Sequence, residues 1–135
     1  MEKDKEMLVK NKKSFKRFLY SFKYCYEGLR YAFYHEQNII VMLVMGIIAL
    51  ILGLVFNITY TERLIVILLI IIIMALEMVN TAIEATVDLV GQHNEKAKVA
   101  KDCASGAVGL ASILGLIIGL MIYLPRIIEF VRGIL

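Results

Sequence analysis

Two stretches of this chain carry no charge, are almost wholly apolar and are each long enough to cross a lipid bilayer, and between them another span opens on an uncharged apolar run before it meets acidic residues. No Asp, Glu, Lys or Arg occurs from Gln37 to Thr61, and Ile39–Phe56 is apolar apart from Gly46 and Gly53. At 1.5 Å per residue that run covers roughly 27 Å, against a hydrocarbon core of about 30 Å. The charge-free run Leu64–Leu76 opens a second span that continues to about Val90, and Cys103–Pro125 is again charge-free throughout. A short polar turn at 57–63 and a polar loop at 91–102, with Lys96, Lys98 and Lys101, separate them. With 60% hydrophobic residues in a chain of 135, the apolar content exceeds the roughly 45–50% that a water-soluble domain carries. The pattern predicts an all-α membrane protein in a single domain over 1–135. It has an N-terminal amphipathic surface helix at about 14–35, spans at about 38–57, 64–90 and 103–124, and a short C-terminal tail at the interface.

The surface helix follows from Phe15, Phe18, Leu19, Phe22, Tyr26, Leu29 and Phe33, which recur at helical spacing with Lys16, Arg17, Lys23, Glu27 and Arg30 largely between them. An aromatic face opposite a basic face suits a helix lying flat in the membrane interface. Nine of the 15 Lys and Arg residues fall in the first thirty positions. Beside apolar spans, such a cluster points to anionic lipid headgroups, and no stacking platform or recognition helix supports nucleic acid as a partner. Those nine, with the three lysines of the second loop, outnumber Arg63, Arg126 and Arg132. The imbalance predicts a multi-pass protein of the cell membrane with its N-terminus and second loop in the cytoplasm and its C-terminus outside. Ala107, Ala111, Gly115 and Gly119 form a smooth ridge on the third span and predict close helix contact, oligomerisation being expected of so few spans. Cys25 and Cys103 lack metal-ligand spacing and read as small packing residues. His35 and His93 read as surface residues.

The second span also holds Glu77, Asn80, Thr81, Glu84 and Asp88. At roughly 100° per residue these five fall within one stripe about 100° wide, while Met78, Val79, Ala82, Ile83, Ala85 and Val87 around them are apolar or small. An acid near the bilayer centre costs roughly 2.5–3.5 kcal/mol on the insertion scale, less toward the headgroups. Asn and Thr alone would suit plain interhelical hydrogen bonding, but three acids suit it poorly. Carboxylates without a basic partner on their own helix invite a divalent cation such as Mg²⁺, which takes hard oxygen ligands, or a role as general base. An ion or proton pathway is the rival reading, since embedded acids also mark transporters. Lys101-Asp102, where the second loop meets the third span, offers a phosphate partner and a carboxylate to orient it. Equally, it offers a solvated helix start. Glu36, at the junction of the surface helix and first span, reads either as a further carboxylate of the site or as a boundary residue.

Glu77, followed by Asn80-Thr81-Ala82-Ile83-Glu84, Val87-Asp88 and Ala100-Lys101-Asp102, with Gly28-Leu29-Arg30 and Glu36 upstream, closely resembles the prokaryotic diacylglycerol kinase / undecaprenol kinase family. The likeness runs from about Phe15 to Leu124. It implies a homotrimer of three-span subunits with active sites shared between neighbours, using ATP and Mg²⁺ to phosphorylate a lipid alcohol at the cytoplasmic interface. By that resemblance Glu77 is the catalytic base, while Glu36 and Glu84 hold Mg²⁺. Arg17, Tyr24, Lys101 and Asp102 lie around ATP, Asp88 and Asn80 help build the site, and Arg30 and Ser105 contact the lipid. His93–Glu95 lies in a loop that varies across the family and is where the resemblance would put any further nucleotide contact. The absence of Trp departs from some members. Likeness to members from Gram-positive bacteria, with a Lys/Ile/Asn-rich composition, favours undecaprenol as substrate, with diacylglycerol as the near alternative.

Overall fold

The computed structural model describes residues 2–90 and 94–134, which form four helices: α1 (Glu2–His35), α2 (Gln37–Val55), α3 (Tyr60–Val90) and α4 (Glu95–Arg132). They divide into two units, α1 by itself and α2–α4 together. The last three are each long and apolar enough to cross a membrane, so the all-helical, multi-pass architecture expected from the sequence is present. In the most apolar window of each span only 17%, 22% and 17% of residues are buried within the chain. Most of the apolar surface is therefore left for lipid or for other subunits.

Four boundaries differ from those read off the hydropathy pattern, each for a local reason; one is the start of α3, at Tyr60 rather than near 64, behind the cap described below. Helix α1 starts at Glu2 rather than near residue 14, because 2–13 contains Glu, Lys, Met and Leu and no Gly or Pro, so nothing there stops a helix. Helix α4 starts at Glu95, so most of the expected polar loop is helical. Asn94 caps it, its side-chain oxygen accepting from the Lys96 N–H at 2.9 Å. The same helix continues past Pro125 to Arg132 instead of ending near 124. Proline removes one intrahelical N–H donor, and beside it the Arg126 guanidinium donates to the Ile122 carbonyl at 2.6 Å. His93, one of the expected loop contacts, lies outside the described residues.

Helix α1 exposes Phe15, Phe18, Leu19, Phe22, Tyr26 and Leu29, the row that defined its apolar face. Its polar groups are engaged locally. Lys23 pairs with Glu27 at 3.7 Å, the Arg30 guanidinium lies 5.7 Å from the Tyr34 ring centre, and His35 stacks on Tyr31 at 4.3 Å. Arg17 and Tyr24 are exposed on this helix.

In the second unit, α2 and α4 both pack on α3. The turn between α2 and α3 is closed from both sides. Asn57 takes a left-handed conformation (φ 48°), the Ile58 N–H bonds to the Gly53 carbonyl at 3.1 Å, and the Asn57 N–H bonds to the Leu54 carbonyl at 3.3 Å. This paired C-terminal closure favours Gly or Asn at the left-handed position. Thr59 and Glu62 then cap α3 reciprocally: the Thr59 N–H donates to Glu62 Oε2 at 2.8 Å, and the Glu62 N–H donates to Thr59 Oγ1 at 3.3 Å. Glu62 Oε2 also meets Arg126 of α4 at 2.6 Å, and the Tyr123 hydroxyl reaches across to the Ala49 carbonyl of α2 at 2.7 Å. These bonds lock the three helices at the end farthest from the acidic stripe.

Ile58, Val66, Ile122 and Tyr123 form the buried core there, and Gly53 lets it close. A Cβ at Gly53 would stand 2.7 Å from Ile58 Cδ1 and 3.2 Å from Tyr123 Oη, so any side chain must displace core atoms. Gly53→Val is expected to cost about 1–3 kcal/mol by overpacking, read as a lowered unfolding midpoint in mixed-micelle denaturant titration. An unchanged midpoint would mean that α2 does not need this close approach. Gly46 and Gly115 play the same part against Ile70 and Ile73 of α3. Gly115 of the small-residue ridge thus serves packing inside the chain, while Ala107 of the same ridge is exposed. Cys25 and Cys103 are both exposed within the single chain.

Candidate active site

Helix α3 runs for 31 residues, about 46 Å at 1.5 Å per residue and well beyond the roughly 30 Å of hydrocarbon. Glu77 lies about 26 Å from its first residue, and Asp88 about 42 Å. With the start of α3 at one face of the hydrocarbon, these distances put the acidic stripe toward the other face rather than at the middle, which lowers the cost of keeping three acids on a membrane helix.

Spacing by three and four residues places Glu77, Asn80, Thr81 and Glu84 along one side of α3. Glu77 is 1% exposed, Thr81 6% and Asn80 8%. Opposite them on α4 stand Lys101 and Ser105, also four apart. Here the two helices exchange side-chain bonds. The Asn80 amide donates to Glu84 Oε1 at 3.2 Å, the Ser105 hydroxyl donates to Asn80 Oδ1 at 3.3 Å, and Lys101 Nζ lies 3.3 Å from Glu84 Oε2. The Thr81 hydroxyl stays local and donates to the Glu77 carbonyl at 3.0 Å. Glu77 is the exception in this network. Its Oε1 is buried without a hydrogen-bond partner, and a carboxylate oxygen in that state is costly unless something else is meant to meet it.

The structure thus brings together Glu77, Asn80, Glu84, Lys101 and Ser105 of the residues singled out in the sequence. It leaves others apart. Asp88 and Asp102 are exposed. Lys101 pairs with Glu84 rather than being oriented by Asp102, because its long side chain reaches back across the α3–α4 seam. Glu36 caps α2 through its backbone only, with no side-chain bond to the helix end, and is half-buried. Arg17, Tyr24 and Arg30 belong to the separate α1 unit. Among the described residues no three His, Cys, Asp or Glu side chains converge tightly enough to hold a metal ion by themselves. Sequence reasoning missed the cross-helix pairing of Lys101 with Glu84. The signal was present in the four-residue spacing of Lys101 and Ser105, which gives both the same face of α4.

The donor chemistry suits Mg²⁺, which commonly binds through one or two carboxylates plus substrate phosphates and retained waters. Glu84 presents a carboxylate that is 32% exposed and lightly held by a lysine of similar exposure. An ion pair so open to solvent is worth about 1 kcal/mol or less, so a divalent cation can displace it.

Comparison with known proteins gives the family. The family model for prokaryotic diacylglycerol kinase matches residues 23–123, a stretch that includes every residue of the α3–α4 network. A diacylglycerol kinase of Synechocystis is 37% identical over 113 residues, 82% of this chain and 65% of that protein; the chain thus spans a little under two thirds of that relative. An undecaprenol kinase of Bacillus subtilis is 38% identical over 112 residues, 82% of this chain and 91% of that protein. A diacylglycerol kinase of Escherichia coli is 30% identical over 111 residues, with the same two coverages. On the extent of the family match and the three-span fold that carries it, the chain belongs to the prokaryotic diacylglycerol kinase family, whose named members are lipid kinases.

Proposed function

We propose that this protein is an ATP- and Mg²⁺-dependent lipid kinase that converts undecaprenol to undecaprenyl phosphate, with ADP as the second product. The observation that carries the proposal is the Glu77 carboxylate, buried at 1% exposure with one oxygen unpartnered beside a carboxylate that a cation can claim. Glu77 takes the proton of the lipid hydroxyl as its oxygen attacks the γ-phosphorus, and the bond to the β-γ bridging oxygen of ATP breaks. Glu84 and Glu36 hold Mg²⁺, which when bound neutralises phosphate charge. Lys101 leaves Glu84 for the phosphates, and Asp102, Arg17 and Tyr24 complete the nucleotide site. Asp88 and Asn80 shape the site, and Arg30 meets the lipid head. Positioning and electrostatics carry most of such a transfer.

The active unit on this reading is a homotrimer with sites shared between subunits at the cytoplasmic face, in keeping with the large apolar surface that one chain leaves uncovered. The N-terminus and the segment between α3 and α4 lie in the cytoplasm, where ATP is available. Undecaprenol is preferred on likeness to the Bacillus subtilis relative; diacylglycerol is the second reading, because relatives of that name match as well. Purified protein given labelled ATP, Mg²⁺ and either lipid in parallel is expected to label undecaprenol with at least about tenfold higher kcat/KM, a difference of roughly 1.4 kcal/mol in transition-state binding. The reverse ratio would assign diacylglycerol. No labelled lipid from either would overturn the kinase reading and return the acidic stripe to an ion or proton pathway, testable by flux in liposomes.

A further inference from the structure

Both oxygens of Glu84 are already taken, but by partners of different character. Oε2 meets Lys101, an ammonium 36% exposed at its side chain. Oε1 meets the amide of Asn80, which is buried to 8% exposure. A carboxylate can only accept hydrogen bonds, so the NH₂ end of Asn80 must face Glu84 and its carbonyl must face away. That carbonyl meets the Ser105 hydroxyl of α4 at 3.3 Å. Ser105 is itself exposed, and without its hydroxyl the Asn80 amide would keep its bond to Glu84 but lose its anchor on α4.

From this relay we infer that Ser105 is a positioning residue for the cation carboxylate: by holding Asn80 it fixes Glu84 Oε1 and leaves Oε2 as the oxygen offered to Mg²⁺. The inference rests on the proposed function above, and it gives Ser105 a part other than contact with the lipid. Partners that orient a ligand from behind are worth about 10–100-fold in metal affinity. Ser105 acts one bond further back, so about three- to tenfold is expected by the same reasoning.

The test uses the assembled protein in micelles, with Mn²⁺ binding read by electron paramagnetic resonance, without nucleotide and with a non-hydrolysable ATP analogue. Ser105→Ala is expected to weaken Mn²⁺ binding about three- to tenfold and to raise the Mg²⁺ concentration needed for half-maximal rate by the same factor. The KM for lipid should stay as in the unmodified protein. Ser105→Thr keeps the hydroxyl and should retain the Mn²⁺ affinity. With Asn80→Ala already present, Ser105→Ala should add nothing, since the two act as one unit. A raised lipid KM with unchanged Mn²⁺ binding would overturn the inference and make Ser105 a lipid contact. Additive effects of the two alanines would overturn it as well. Failure of the functional reading is separate, because the unmodified protein would then phosphorylate no lipid at all.

Discussion

Glu77→Gln is expected to lower turnover of ATP-dependent lipid phosphorylation by about 10²–10⁴-fold, the range that general-base groups contribute. The substitution keeps side-chain volume and replaces the carboxylate with a neutral amide that cannot take up the proton. Assembly should survive it, and for a physical reason that separates this residue from a structural acid. Glu77 is buried with Oε1 unpartnered, so at that oxygen the carboxylate makes no bond among the described residues that the amide would break. An uncharged amide is also cheaper to bury than a lone carboxylate. The thermal midpoint in micelles should therefore hold or rise while turnover collapses. Equal loss in kcat and kcat/KM, with nucleotide binding intact, would mark an interaction made only in the transition state. Near-normal turnover would remove Glu77 from the chemistry.

How much of this was legible in the sequence depended on whether a signal was periodic or came from contacts between segments. The first and third spans are legible because bilayer thickness imposes a run of uncharged residues, which 37–61 and 103–125 meet without any tertiary context; the second is legible from the apolar run 64–76 together with the mostly apolar helix that follows it. The stripe of Glu77, Asn80, Thr81 and Glu84 was legible because helical periodicity alone sets which residues share a face. Asp88 shares that periodicity yet is exposed, because the stripe outlasts its cover, which no repeat on α3 can report. The helices run past the hydropathy bounds because capping, not hydropathy, sets their ends. Asn94 as the cap of α4 and the Thr59–Glu62 pair as the cap of α3 were both spelled out in the residues. Lys101 was read with its neighbour Asp102 because sequence adjacency was the only relation available. The structure pairs it instead with Glu84, on another helix. Ser105 entered through likeness alone, and its bond to Asn80 emerges only once α3 and α4 are placed side by side.

Replacing Glu84 with Gln tests the remaining half of the site, and here the loss should appear in the metal dependence rather than in the chemistry at saturation. Glu84 is the carboxylate in the network whose charge is both reachable from solvent and balanced by a displaceable cation, Lys101 at 3.3 Å. Glutamine can keep the bond from Asn80 through its carbonyl, but it then turns an NH₂ group toward Lys101 and toward any incoming Mg²⁺. A hard divalent cation loses a charged oxygen ligand in that exchange. The Mg²⁺ concentration for half-maximal rate should rise at least about tenfold, the lower end of what is lost when even an outer partner of a metal ligand is removed. Lys101→Met supplies the opposite arm. It frees Glu84 Oε2 instead of neutralising it, so the Mg²⁺ requirement should not rise, while the KM for ATP should, since a phosphate partner is gone. The two variants move different constants only if Lys101 occupies the place that the cation takes during catalysis. If both raised the Mg²⁺ requirement, the ion pair would be a fixed strut between α3 and α4, and Mg²⁺ would have to find its carboxylates elsewhere.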